Sequence, residues 1–151
     1  MVEVLSGVDG VTRAIGCQLG PSRWHRLTQA TITDFADATG DHQWIHVDEI
    51  RARTGPFGTT IAHGYLTLSL VPKLLDELVR VDGFAMSINY GLNRVRFPAA
   101  VPVDSRIRLS ATLESLTPVS LGHQLVITGT VEIHGLTKPG CVVESVVLLV
   151  P

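Results

Sequence analysis

From position 64 to position 72 the chain carries no charge. The run reads Gly-Tyr-Leu-Thr-Leu-Ser-Leu-Val-Pro, and its only polarity comes from the hydroxyls of Tyr65, Thr67 and Ser69. Charges return at Lys73, Asp76, Glu77 and Arg80, and the segment 64–80 reads as the longest helix of the chain. A helix that is apolar around its circumference must be buried on most sides. At 1.5 Å per residue it would be about 25 Å long, too short to cross a membrane. Pro72 removes one ladder bond and should bend it. Something in the chain has to wrap around this helix.

The C-terminal half supplies the wrapping. Within 106–114, Ile107, Leu109, Ala111 and Leu113 alternate with Arg106, Arg108, Ser110, Thr112 and Glu114. Within 124–132, Leu125, Ile127 and Val131 stand against Gln124, Thr128, Thr130 and Glu132. The segment 141–150 is a nearly continuous apolar run, as in a strand covered on both faces. Turns at 117–122 and 135–140 join strands that should therefore pair antiparallel. The pattern implies an α+β fold with a sheet curled around one helix. Ahead of that helix, the first sixteen residues read as a short irregular helix with Val8, Val11 and Ile15 as contacts. A strand is expected at 23–28. A helix follows at 30–40, with Thr31 and Asp34 as a capping-box-like start and Gly40 as its stop. An exposed turn at 41–46 and a short helix from Asp48 to Arg53 complete this part.

At 151 residues the chain is expected to form a single domain, 1–151. It is 45% hydrophobic and 17% charged, against about 25% charged in ordinary soluble domains. That excludes intrinsic disorder and hints at protomers that bury surface against each other. A net charge of −2 and no basic run give nucleic acid nothing to track. No signal peptide is recognisable, since Glu3 and Asp9 sit where a basic flank and an apolar run would be needed. Cys17 and Cys141 fit no metal or redox spacing and are expected to be buried, reduced thiols of a cytoplasmic protein, a long-range disulfide being the alternative.

Two constellations carry chemistry. In Thr39-Gly40-Asp41-His42-Gln43-Trp44-Ile45-His46, a carboxylate and an imidazole lie five residues apart in a loop that follows a helix stop. Such a pair can hold one water between them and move its protons. On spacing alone the commoner reading is a carboxylate after a helix end and a histidine on a surface loop. The stretch 42–46 also mimics the zinc-protease signature H-E-x-x-H, but Gln43 cannot act as the general base and Gly40 interrupts the helix that signature needs, so no metal is assigned. The second constellation, Ile61-Ala62-His63-Gly64, opens the uncharged helix. First-turn amides have no internal partner, and a glycine lets a substrate oxygen come close enough to be stabilised as charge develops on it. Alternatively Gly64 relieves crowding and His63 is a packed or capping residue.

T-G-D-H-Q-W-I-H followed by I-A-H-G-Y-L-T-L-S-L resembles the MaoC-like (R)-specific enoyl-CoA hydratases, and Tyr90-Gly91-Leu92-Asn93-Arg94-Val95-Arg96-Phe97-Pro98 resembles their strand after the central helix. The likeness runs from Ser22 to the end and is nearest to the small, nodulation-protein-N-like branch. It implies a hot-dog fold, a curved antiparallel sheet around one long helix, in a homodimer whose sheets join edge to edge. It implies an acyl-CoA substrate, with reversible hydration of a trans-2-enoyl-CoA to a (3R)-3-hydroxyacyl-CoA and no metal or redox cofactor. By position, Asp41 and His46 match the catalytic pair and Gly64 the residue whose amide polarises the thioester carbonyl. The chain has Gln43 and Trp44 where the family usually has Asn and Pro. Gln43 keeps an amide that can orient water, and Trp44 adds bulk that would reshape the acyl pocket. His63 is also placed at the substrate. Arg94 and Arg96, two apart on a strand, are candidates for the CoA phosphates or simply a solvated strand edge. The competing functions are an acyl-CoA thioesterase and a non-catalytic acyl-binding subunit of a heteromeric dehydratase.

Overall fold

A computed structural model describes residues 1–151. In chain order its elements are β1 (Glu3–Ser6), α1 (Gly7–Ala14), β2 (Gln18–Leu19), β3 (His25–Arg26), α2 (Gln29–Thr39), α3 (Trp44–Val47), α4 (Glu49–Ala52), α5 (Gly64–Ser69), α6 (Val71–Leu75), β4 (Val79–Asp82), β5 (Met86–Arg96), β6 (Arg106–Val119), β7 (Gly122–Ile133) and β8 (Cys141–Val150).

The alternating segments become the sheet. Its order is β2-β6-β7-β8-β5, with β3 also on β6, and every pairing is antiparallel. Register puts Leu109 opposite Val131 and Leu113 opposite Ile127, so the apolar residues of both strands share one face. Ile107, Leu109, Leu113, Leu125 and Val131 are at most 2% exposed, and the helical residues Leu66, Val71 and Leu74 pack into the same cluster. This is the expected α+β, hot-dog arrangement.

The helix itself departs from expectation. It ends at Leu75 rather than Arg80 and is divided at Leu70. Pro72 explains the division: it has no N–H to give, and its ring crowds the carbonyl four residues back, at Leu68. A new first turn, where that N–H would be unbonded anyway, accommodates it. Residues expected in the last helical turn instead form β4, which pairs parallel with β1. Nor is the helix covered on most sides by its own chain, for Tyr65 is 70% exposed and Ser69 and Pro72 are exposed too. The neighbouring edge strand β5 likewise leaves Met86, Ile88, Tyr90 and Leu92 open.

The N-terminal segment contains a strand and a helix rather than one irregular helix. Val11 is fully buried, Ile15 packs at the core margin and Val8 stays exposed. The strand expected at 23–28 shrinks to His25–Arg26. The helix expected at 30–40 starts one residue earlier, because Thr28 and not Thr31 is its cap and accepts the Thr31 N–H at 3.2 Å. Gly40 ends it with φ +79°, a conformation glycine adopts without penalty. Cys17 and Cys141 are both free, but Cys17 is exposed rather than buried. No helix is long and apolar enough to cross a membrane.

Candidate active site

The left-handed turn at Gly40 throws the chain off the end of α2 into the loop that carries Asp41. The Asp41 Oδ1 accepts the Gln43 N–H at 3.4 Å, and the Asp41 N–H reaches the Thr39 hydroxyl at 3.4 Å. The single turn α3 then drives His46 inward. His46 is 6% exposed, so the surface turn expected at 41–46 holds only for its first part.

Two bonds hold His46 directly and two more brace its partners. Its Nδ1 lies 2.7 Å from the carbonyl of Ile61, and the Ile61 N–H donates to the carbonyl of Ile45 at 3.0 Å. The Gln29 amide donates to the carbonyl of His46 at 2.8 Å and accepts from the hydroxyl of Thr60, itself 1% exposed, at 2.6 Å. A carbonyl can only accept, so the His46 Nδ1 carries the proton and Nε2 presents a lone pair. Burial lowers the pKa of this imidazole, with His63 nearby adding to the effect; the bond to Ile61 and the charge of Asp41 oppose it. At neutral pH the group is therefore a free base.

His63, 3% exposed, stacks on His46 with ring centroids 3.8 Å apart and planes inclined by 25°. Phe35 lies against His63 at 4.9 Å. One ligand-type atom from each of Asp41, His46 and His63 lies within 4.8 Å of the others. A span of that size between a carboxylate oxygen and a ring nitrogen admits one bridging water. The H-x-x-x-H resemblance dissolves: His42 is exposed and bonds Asp37 at 2.8 Å, a contact that raises its pKa, while His46 points into the protein.

Gly64 opens α5 with His63 as its N-cap. It shares with His46 a cavity of about 390 Å³ whose other walls include Phe57, Ile61, Phe97 and Val101. His46 and the helix-opening Gly64 thus line one mostly apolar hollow, while Asp41 is exposed and is not among its walls. A larger hollow of about 550 Å³ near Arg23 and Glu77 contains none of the expected site residues.

The remaining expected residues lie elsewhere. Trp44 does not line the cavity; its ring packs under the Arg51 guanidinium at 4.2 Å and against Gly55. Gln43 is exposed beside Asp41. Arg94 and Arg96 are exposed on β5, in register with Glu144 and Val142, and the Arg96 guanidinium donates to the carbonyl of Val95 at 2.7 Å. Sequence reasoning missed Gln29, Thr60 and Phe97. Nothing near Gln29 or Thr60 marks them, because their partner is distant in the chain; Phe97 could have been found from its place at the end of the motif-bearing strand.

Residues 11–135 match the family model described as a MaoC like domain. The chain is 49% identical over 147 residues to the 3-hydroxyacyl-thioester dehydratase Z of Mycobacterium tuberculosis, covering 97% of each chain. It is 40% identical over 144 residues to the nodulation protein N of Rhizobium leguminosarum bv. viciae, covering 92% of this chain and 88% of that one. Among solved structures, the unliganded R-hydratase PhaJ1 of Pseudomonas aeruginosa superposes with a TM-score of 0.73 at 19% identity, over 89% of this chain and 81% of that one. At that identity the likeness speaks for the fold.

Proposed function

The chain belongs to the MaoC-like domain family, and on that premise we propose that it is an (R)-specific enoyl-CoA hydratase, adding water reversibly to trans-2-enoyl thioesters to give (3R)-3-hydroxyacyl thioesters. The observation that supports the mechanism is that His46 and Gly64 line one hollow, with a carboxylate oxygen of Asp41 within 4.8 Å of a His46 ring nitrogen.

Asp41 and His46 Nε2 both accept hydrogen bonds, so a water between them donates both its hydrogens and turns an oxygen lone pair outward. As that oxygen bonds to C3, His46 takes one proton. The C2=C3 π electrons move into the thioester as an enolate, and the Gly64 N–H stabilises the oxygen on which charge gathers. The imidazolium, its charge offset by Asp41, then gives its proton to C2, completing the addition with one water consumed. Positioned acid–base groups of this kind contribute about 10²–10⁴-fold. The thioester itself activates the alkene, so the chemistry calls on no metal or redox cofactor.

The active unit is a homodimer in this reading. An edge strand with unpaired backbone groups and exposed apolar side chains needs a cover. A second β5 against Met86, Ile88, Tyr90 and Leu92 would supply it. The deciding experiment follows loss of enoyl-thioester absorbance across acyl lengths, with chiral analysis of the product. Hydration to the 3R alcohol is expected; release of free thiol in place of hydration would make the protein a thioesterase.

A further inference from the structure

His63 takes no part in the mechanism above, yet it is a buried ring in contact with the backbone of Asp41 and the ring of His46. We propose that His63 is a positioning residue of the hydration site: its Nε2–H holds the backbone carbonyl of Asp41 while its ring face holds His46, so that one buried side chain sets the separation of the two groups that share the water. This rests on the assignment of Asp41 and His46 as that pair.

The geometry is specific. The His63 Nε2 lies 2.9 Å from the carbonyl oxygen of Asp41, and since a carbonyl only accepts, Nε2 bears the hydrogen. The other hydrogen bonds of Asp41 are weak ones of 3.4 Å, so this is the bond that anchors the residue. On its face the same ring lies 3.8 Å from His46, with Phe35 also packed against it. Its backbone is held as well: the carbonyl of His63 accepts the Thr67 N–H at 3.1 Å, which fixes the first turn of α5 and with it the Gly64 amide. Three parts of the site therefore converge on one residue.

The cost side of this arrangement points the same way. With Nε2 given to Asp41, the other ring nitrogen, Nδ1, is buried without a partner. Buried polar atoms are rarely left so. A phenyl ring would stack on His46 equally well and leave nothing unsatisfied. Nor does the imidazole cap α5, for no side-chain cap bond is made there. What only an imidazole supplies here is the bond to Asp41.

Two substitutions separate the two contacts. His63→Gln keeps an N–H at about the reach of Nε2 but loses the stack; His63→Phe keeps the stack but loses the N–H. Misplacing a reacting group by about 1 Å can cost 10²-fold. We expect His63→Phe to lose at least about ten-fold in kcat with crotonyl-CoA, with KM within about two-fold of wild type, and His63→Gln to recover most of that loss. A folded His63→Phe enzyme with wild-type kcat, or a Gln variant no better than the Phe variant, overturns the proposal. A measurement on the unmodified protein guards against a variant that fails to fold. Long-range ¹⁵N–¹H spectra of the imidazoles should show His63 protonated at Nε2 and His46 at Nδ1, and an Nδ1–H His63 overturns the proposal alone. If the wild-type protein does not hydrate enoyl thioesters at all, the hydratase reading falls and this inference falls with it.

Discussion

Gly64→Ala tests the most exacting claim about the site, that the residue opening α5 must be small because a substrate oxygen comes close to its amide. A methyl carbon at residue 64 would stand 2.8 Å from Cδ2, and 3.0 Å from both Cε2 and Cγ, of Phe97. Relaxed carbon contacts are about 3.5–4.0 Å, so the ring must retreat by roughly 0.7–1.2 Å. Phe97 is 36% exposed and has somewhere to go. The stability loss should therefore sit at the low end for overpacking, about 1 kcal/mol, or a Tm lower by about 3 °C in a chain of this size. The chemical loss should be larger. The methyl intrudes on the cavity that Gly64 and Phe97 both line, and an oxyanion donor must lie about 2.7–3.1 Å from its oxygen to act, the loss of one such donor costing about 10²-fold or more. Combining Gly64→Ala with Phe97→Leu separates the two effects. The double variant should regain the Tm and not the turnover, measured as kcat/KM with crotonyl-CoA by absorbance. If Gly64→Ala leaves kcat/KM unchanged, or if Phe97→Leu restores it in full, Gly64 is small only to make room for a ring.

Asp41→Asn and His46→Ala should each lower kcat by at least about 10²-fold with an unchanged circular dichroism spectrum. In the wild type, burial holds His46 below the ordinary histidine pKa of 6.5, so the acid limb of kcat/KM should fall below that pH. For this group the unfolded chain binds more protons than the folded one on the acid side, so its contribution to stability declines as pH falls through 6.5. Gln29→Met removes the bond to the His46 carbonyl and strands the buried Thr60 hydroxyl; a loss of about 1–3 kcal/mol in urea unfolding is expected, and Gln29→Glu, which keeps only the acceptor for Thr60, should recover part of it. Replacing Arg94 and Arg96 together by alanine should raise KM for a CoA thioester and leave that for the pantetheine thioester alone; equal KM values for the CoA ester in both proteins would discard the phosphate contacts. Sedimentation should find the wild type at twice the 16.3 kDa chain mass, and Ile88→Asp on β5 should shift it toward one copy.

The sheet was legible because its signal is local and periodic. Every second residue of 106–114 faces the core in the structure as the alternation requires, and register follows from that. The longest helix was legible in kind and not in extent. Absence of charge marks a segment that must be covered, but does not say that Pro72 opens a second helical piece or that the chain leaves it after Leu75 for β4, whose partner is the first strand of the chain. The same absence of charge overstated what one chain does. Leu66, Val71 and Leu74 are buried by the sheet, whereas Tyr65 and Pro72 face outward. The uncharged surface in excess of what this chain covers lies beside the edge strand β5.

The site was legible to the extent that its groups are close in sequence. Gly40, Asp41 and His46 belong to one turn, and Gly64 to the next motif, so type and spacing bring them to notice. What makes His46 a base is not in that turn. Its burial, its tautomer and its place beside the cavity come from Ile61, Gln29, Thr60 and His63, each at least fourteen residues away from it in the chain. A carboxylate and an imidazole five apart on a surface would bind water loosely and titrate as free groups do. Here the ring is lowered by burial and fixed through Nδ1 so that one lone pair is left to work with. Motif and scaffold thus contribute different things. In the proposed mechanism the loop supplies the reacting groups, and the segment 60–64 leading into α5 fixes the His46 tautomer and holds the Asp41 backbone. That division explains why Trp44, inside the motif, packs on Arg51 away from the cavity, whereas Thr60, outside it, is joined to His46 through Gln29.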